Sequence, residues 1–481
     1  MRTKKLASIQ FLALLILTSL ASCGQKITKD NIMDALHKKY EFTADVKKYK
    51  VTYKYTGLNP YQSHDYKHPE AKINRFGMYS IDIDTKKKEY FTHDKSQFPG
   101  NFIFEYKHFQ NSAKSISYDV NGVIHGKQLF KRSRNSYKNQ SKRAGEVLSF
   151  VQVANLLSGH KMNDALKIKI SKEKMIAVIT HRVHKKITNT YTFNIATLRL
   201  KKLESTEDNS IVHFKDYILK GNIEYAQKLN VYKSNTLSAS ISVESFKRTT
   251  GIETSKFIVP KKYISPKKNV VSESKVTKIA TSIYVINLAN NSRFILIKVI
   301  KNNLMVFGAP RSDALTEKVM RLLENRFPMK TIQSVFVSHP HNDHIGGLAA
   351  YAQKGVTILA DDYTIDAIQN FPAFHKTVKT FKFKTLTNKQ NINGVLFYVL
   401  RNAHSLKQSF AYFKNEHIIY EGDFLEVPAD NSIPTHLSDV EKQFIEFVRK
   451  EKLKIKRIVQ HHRNPNVSVA TMNAYYEANT K

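Results

Sequence analysis

The chain has 481 residues, 41% of them hydrophobic and 24% charged, with 77 Lys and Arg against 40 Asp and Glu and a single cysteine. That length exceeds one ordinary core and implies two or three domains. The 28 Phe and 24 Tyr exclude a disordered chain, and one cysteine excludes an internal disulfide or a thiolate metal cluster. A net charge of +37 fits nucleic acid, an anionic membrane surface or plain lysine bias, and does not choose among them.

The N-terminus reads as an envelope address. Arg2, Lys4 and Lys5 precede an apolar run from Phe11 to Leu20, and small residues follow up to Cys23. At about ten residues the run is too short to span a bilayer. Leu20-Ala21-Ser22-Cys23 resembles a bacterial lipobox. That resemblance implies a signal peptide over 1–22, cleavage before Cys23 and a diacylglycerol on its sulfur. The mature protein would then be soluble in form and lipid-anchored in the bacterial cell envelope, at the outer membrane or periplasmic face.

Residues 23–259 read as an antiparallel, β-rich domain. Tyr49, Val51, Tyr53 and Tyr55 alternate with Lys48, Lys50, Thr52 and Lys54, and Leu237, Ala239, Ile241 and Val243 alternate with polar residues. Similar runs lie at Tyr79-Ile81-Ile83, Ile168-Ile170 and Tyr191-Phe193-Ile195. One segment has helical spacing: Val147, Leu148, Val151, Ala154 and Leu157 predict a helix over Ala144–Leu157, stopped by Gly159. The arrangement resembles lipoprotein-carrier half-barrels of the envelope, which implies a lipid or partner site in this domain.

Lys, Ser and Pro then dominate, with Pro260 and Pro266 interrupting any regular element, so 260–274 reads as a linker. Beyond it strand and helix alternate, which indicates α/β layering. Short strands fill 279–306, Ser312 caps a helix striped by Leu315, Val319, Leu322 and Leu323, and a buried strand spans Ile332 to Val337. Later, Ser438 and Glu441 form a capping box ahead of Val440, Phe444, Ile445 and Val448, and a strand follows at Ile455 to Val459.

At the end of the strand 332–337 stands Ser338-His339-Pro340-His341-Asn342-Asp343-His344-Ile345-Gly346-Gly347. In an extended loop His339 and His341 project to one side and can share a metal ion, while Asp343 and His344 follow a bend and can reach a second. Imidazole and carboxylate without thiolate suit Zn2+, with Mn2+ or Fe as substitutes. A specified His-x-His-x-Asp-His arises by chance about one time in a thousand in a chain this long. Gly346 and Gly347 let the following helix approach closely. The ten histidines before residue 275 have no such spacing and read as solvated or satisfied side chains.

The motif resembles the metallo-β-lactamase superfamily, over 275–481. The resemblance implies a four-layer αββα sandwich with a two-metal site at one edge of its sheets. By that analogy His339, His341 and His404 hold the first ion; Asp343, His344 and His462 hold the second; and Asp423 bridges them. His404 follows the strand Val395–Leu400, Asp423 follows Ile418–Tyr420, and His461 or His462 follows Ile455–Val459, with His462 preferred because the family places its last ligand second in a Gly-His pair. Asp343 would also steer a water or accept its proton, and Ser338 and Ser405 would supply supporting hydrogen bonds.

The resemblance therefore implies a dinuclear zinc hydrolase acting on a small-molecule substrate through a metal-bound hydroxide, the substrate being an ester, thioester, lactone, lactam or phosphodiester. One departure stands out: Gly308 ends the strand Leu304–Phe307 where the family commonly has an acidic residue. Loss of that acid supports the competing expectation, a non-catalytic envelope lipoprotein with a scaffold C-terminal domain. Nucleic acid is not an expected partner, because 28 basic against 17 acidic residues put only +11 from Lys275 onward and leave +23 on 23–274.

Overall fold

The computed structural model describes residues 27–70, 75–131, 135–159, 166–184, 186–265, 273–289 and 293–481. The expected signal peptide at 1–22 and the lipidated Cys23 lie outside the described residues. Among the described residues no helix is long and apolar enough to cross a membrane. Two compact units emerge: Met1–Asp45 (described from residue 27) with Leu148–Ala226, and Val46–Val147 with Gln227–Lys481. This division does not follow the one expected at 23–259, 260–274 and 275–481, since the second unit joins much of the N-terminal strand region to the C-terminal region.

In the first unit the helix Ile32–Tyr40 buries Ile32, Met33, Leu36 and Tyr40 on one stripe. It packs against the helix Ser149–Gly159, with Phe42 and Phe150 rings 5.7 Å apart. Strands Leu166–Ser171, Ile176–His184, Ile187–Asn194, Leu200–Ser205 and Ser210–Lys220 pair in sequence order, all antiparallel.

The single helix expected at Ala144–Leu157 is two helices, Tyr137–Glu146 and Ser149–Gly159. Val147 caps the first, and its N–H turns back to the Gly145 carbonyl. Gly145 stands at the break, where its poor helix propensity weakens the last turn. The apolar spacing ran through the break because Val147 and Leu148 are both buried.

In the second unit an antiparallel sheet runs in the order Ser115–Asp119, Phe102–Gln110, Glu89–Phe98, Arg75–Asp84, Lys48–Gly57, Thr236–Arg248, Ile223–Lys233. The alternation expected at Tyr49, Val51 and Tyr53 puts those three residues in the core. Arg143 fixes the helix Tyr137–Glu146 to this sheet: its guanidinium lies 4.5 Å over the Tyr79 ring and donates to Asp94 Oδ2 at 2.7 Å. Of the expected linker, 260–265 and 273–274 are described. Ile264 bonds through its backbone to Lys127 and Leu129, and Tyr263 packs on Tyr118.

The C-terminal region carries a seven-stranded sheet, Lys275–Ala280 through Lys382–Thr385, and a five-stranded sheet, Gln390–Ile392 through Arg457–Gln460. Central strands such as Arg293–Ile300 and Gln408–Phe413 are buried on both faces, as strands covered on both sides must be. Along Arg293–Ile300, Ile295 and Ile297 join a core shared with the helices Asp313–Arg326, Leu348–Gln353 and Asp362–Gln369. Phe294 and Leu296 instead join a core with Phe397, Phe413 and Tyr420 of the other sheet. Behind the second sheet, Tyr398, Phe410 and Ile419 pack on Phe444, Ile445 and Tyr475 of the helices Asp439–Lys450 and Val469–Thr480. The expected capping box of Ser438 and Glu441 is present in full.

Candidate metal centre

Every ligand-type residue expected in the C-terminal region follows the end of a strand, in a loop or in a short helix. The strand Thr331–Phe336 delivers His339 and His341, and a short helix, Asn342–Ile345, begins at once and turns Asp343 and His344 inward. The close approach expected of Gly346 and Gly347 has a definite cause. A Cβ on Gly346 would meet the Arg311 carbonyl at 2.3 Å, and one on Gly347 would meet Thr316 Oγ1 at 2.3 Å. Gly422 does the same beside Asp423, where a Cβ would meet Ser338 Oγ at 2.2 Å.

These loops gather two buried clusters. His339, His341, His404 and Asp423 bring ligand atoms within 4.8 Å of one another, and so do His344, His461 and His462. In the first, His404 Nε2 stands 3.3 Å from His339 Nε2. In the second, His462 Nε2 stands 3.0 Å from His344 Nε2. Asp423 divides its carboxylate between them. Oδ2 lies 3.4 Å from His404 Nε2 and 3.7 Å from His339 Nε2, while Oδ1 lies 3.1 Å from His344 Nε2 and 3.2 Å from His462 Nε2. Ligands about 2.0–2.1 Å from a shared tetrahedral ion lie roughly 3.3 Å from each other, so the spacing fits a divalent ion in each cluster.

Three imidazoles of the first cluster are oriented by oxygen. Ser338 Oγ meets His339 Nδ1 at 3.0 Å, His341 Nε2 donates to the Ser63 carbonyl at 3.0 Å, and His404 Nδ1 donates to the Pro99 carbonyl at 2.9 Å. A carbonyl only accepts, so each of the last two contacts places the proton and leaves the other ring nitrogen free to bind a cation. Ser338 thus has the supporting role expected of it. Ser405 donates its backbone N–H to Asn402 Oδ1, and its own hydroxyl is buried without a partner among the described residues.

Ser63 and Pro99 belong to loops of the antiparallel sheet, and so does Gln62, whose amide donates to Asn342 Oδ1 and to Asp343 Oδ1, both at 2.8 Å. Sequence reasoning missed all three, since their contacts are backbone or amide bonds across about 280–305 residues. The one local signal was Asn59-Pro60, a turn starter whose Asn59 side chain accepts from Tyr61 N. His64, read as a satisfied histidine, faces the Asn402 carbonyl at 3.1 Å. Beside His404 a cavity of about 380 Å³ is lined by His64, Gln97, Pro99, Asn101, Ala403 and Asp439.

The electrostatics separate the rings. Burial drives His339 well below its usual range, His341 to about 3 and His462 to about 4, so these three are neutral and able to bind a metal. Burial also opposes charge on His344, but Asp423 and Asp343 outweigh it and raise that ring. Burial would raise Asp423, yet His344 and His462 reverse this and hold it well below the carboxylate range. Asp343 is likewise held low against burial, by His344 and His462, with Arg293 adding to the effect.

The missing acid at Gly308 has a steric explanation. Gly308 has φ +93°, and a Cβ there would meet the Tyr420 hydroxyl at 2.0 Å and His461 Nδ1 at 2.7 Å. Two side chains of this protein therefore fill the space where the family's acid would stand.

The sequence model of the Metallo-beta-lactamase superfamily matches residues 308–462, which begins at that glycine and ends at the last ligand-type histidine. Residues 308–462 form a metallo-β-lactamase superfamily domain. The 2,4-dinitroanisole O-demethylase subunit alpha of Nocardioides sp. (strain JS1661) is 27% identical over 129 residues, 26% of this chain, and the match spans 39% of that relative's length. Among solved structures, a metallo-beta-lactamase from Pontibacter korlensis is 17% identical, with a TM-score of 0.34, over 43% of this chain and 98% of its own. Another from Hirschia baltica is 14% identical, with a TM-score of 0.34, over 43% of this chain and 99% of its own. The residues that match the family model also carry a His and Asp cluster suited to a divalent metal.

Proposed function

We propose that this chain is a lipid-anchored, dinuclear zinc hydrolase of the bacterial envelope, attached through Cys23, whose metallo-β-lactamase domain has four αββα layers. The observation that carries the two-metal reading is the divided carboxylate of Asp423, with one oxygen toward His339 and His404 and the other toward His344 and His462. His339, His341 and His404 would hold the first ion, and Asp343, His344 and His462 the second. Mn2+ or Fe would fit the same donors.

Divalent ions in such a pair supply an activated water at neutral pH and polarise a carbonyl or phosphoryl oxygen. The chain's own part is orientation and proton handling. Asp343 is fixed by Gln62 at Oδ1 and by Arg293 Nη2 at Oδ2, 2.8 Å each, so its carboxylate is placed to steer a water or take its proton. The substrate would be a small ester, thioester, lactone, lactam or phosphodiester.

The test is a panel of those five substrate classes, run with zinc-loaded wild type and His341→Ala. Turnover of one class by wild type, lost in the variant and after chelation, supports the proposal. No turnover of any class by a fully zinc-loaded wild type counts against it.

A further inference from the structure

His461 occupies the position where the family's pattern has glycine, and its hydrogen bonding leaves one nitrogen unexplained. Tyr420 contacts both the Phe294 carbonyl, at 3.3 Å, and His461 Nδ1, at 2.8 Å. The carbonyl can only accept, so both contacts are satisfied when the Tyr420 hydroxyl donates to Phe294 and its oxygen accepts from Nδ1–H. His461 then carries its proton on Nδ1 and a bare lone pair on Nε2. That Nε2 is buried and has no hydrogen-bond partner among the described residues. The ring centre lies 4.7 Å from that of His344 and 4.9 Å from that of His462, in the second cluster.

Asp343 is in the opposite condition. Both of its oxygens already accept a hydrogen bond, from Gln62 and from Arg293. Its Oδ2 is 3.9 Å from His344 Nε2 and 3.5 Å from His462 Nε2, farther from each than Asp423 Oδ1. A carboxylate with a guanidinium on one oxygen and an amide on the other is a weakened metal ligand. A buried lone pair with no donor is one that a cation would satisfy.

We propose that the second ion is held by three imidazoles, His344, His461 and His462, together with Asp423, and that Asp343 is withdrawn to Arg293 and Gln62. This rests on the two-metal reading above and changes one ligand of its second position. It also leaves Asp343 uncoordinated, ion-paired with Arg293 and placed to orient a water.

The full chain is purified zinc-replete as wild type, His461→Asn and Asp343→Asn, and zinc per chain is counted by mass spectrometry during competition with a chelator. Asparagine at 461 keeps a donor near Nδ1 for Tyr420 but offers no nitrogen at Nε2, which protects the fold; circular dichroism and thermal unfolding check this. The expected result is two ions in wild type, one in His461→Asn, and two in Asp343→Asn. Retention of two ions in His461→Asn overturns the assignment, as does loss of the second ion in Asp343→Asn. Wild type binding no zinc overturns the two-metal reading as well, so the two failures are distinguishable. Cobalt substitution gives a second readout: His461→Asn should alter the visible spectrum of the second ion, and an unchanged spectrum also counts against it.

Discussion

The two clusters stand side by side and are held in different ways. In the first, His339, His341 and His404 each lean on a neutral oxygen, two of them backbone carbonyls from loops of the antiparallel sheet. In the second, His344 is governed by Asp423 and Asp343, while His461 Nε2 and His462 Nδ1 have no hydrogen-bond partner among the described residues. The first is thus preorganised by packing, and the second by charge. The difference teaches that loops of the antiparallel sheet orient the first cluster, and under the two-metal proposal an ion held there should bind tighter and leave last.

The largest break comes from His339→Ala. It removes a ring shared with His404 and Asp423, so hydrolysis should fall by about a thousandfold or more and the first ion should be lost. Rate and metal content measured together check this.

Acidification should act on the fold of the metal-free protein. His341, at about 3, and His462, at about 4, are held below the ordinary histidine range by burial. Between the ordinary value and these lower ones the unfolded chain takes up protons that the fold refuses. The contribution of these two rings is therefore full above about pH 6.5 and is lost as pH drops toward 4 and then 3, while His344, raised, and the buried Glu426 and Glu441, raised to about 8 and about 7, work the other way. A net loss of stability is expected by urea titration across that window. Stability that stays flat or rises on acidification contradicts the neutral, buried rings.

Gly100→Val sharpens the comparison further. Gly100 has φ +83°, and a Cβ there would meet Val440 Cγ1 at 2.9 Å and His404 Cβ at 3.2 Å. Displacing the Pro99 carbonyl from His404 should weaken the first ion by about 10- to 100-fold and spare the second, as read by chelator competition. Equal weakening of both ions would contradict the separation. The smallest effect is expected from Gln62→Ala, which loosens Asn342 and Asp343 and should cost about 1 kcal/mol of stability and a few-fold in rate.

What the sequence revealed follows from locality. His339, His341, Asp343 and His344 stand within six residues at a strand end, and His404, Asp423 and His462 each follow a recognisable strand, so their meeting was legible. The capping box at Ser438 was legible for the same reason. Ser63 and Pro99 were not, because a backbone carbonyl that orients a distant imidazole leaves no mark on residue type. The break at Val147 was hidden by continuous apolar spacing. Gly308 read as a loss, since its partners Tyr420 and His461 lie more than 100 residues away in sequence.

The most direct measurement is zinc per chain, counted on the zinc-replete full-length protein while a chelator is raised stepwise. Two ions that leave in two separate steps, with the tighter one lost from His341→Ala, are predicted. A wild-type chain that holds no zinc, or a His341→Ala chain that holds both ions as firmly as wild type, would contradict the account.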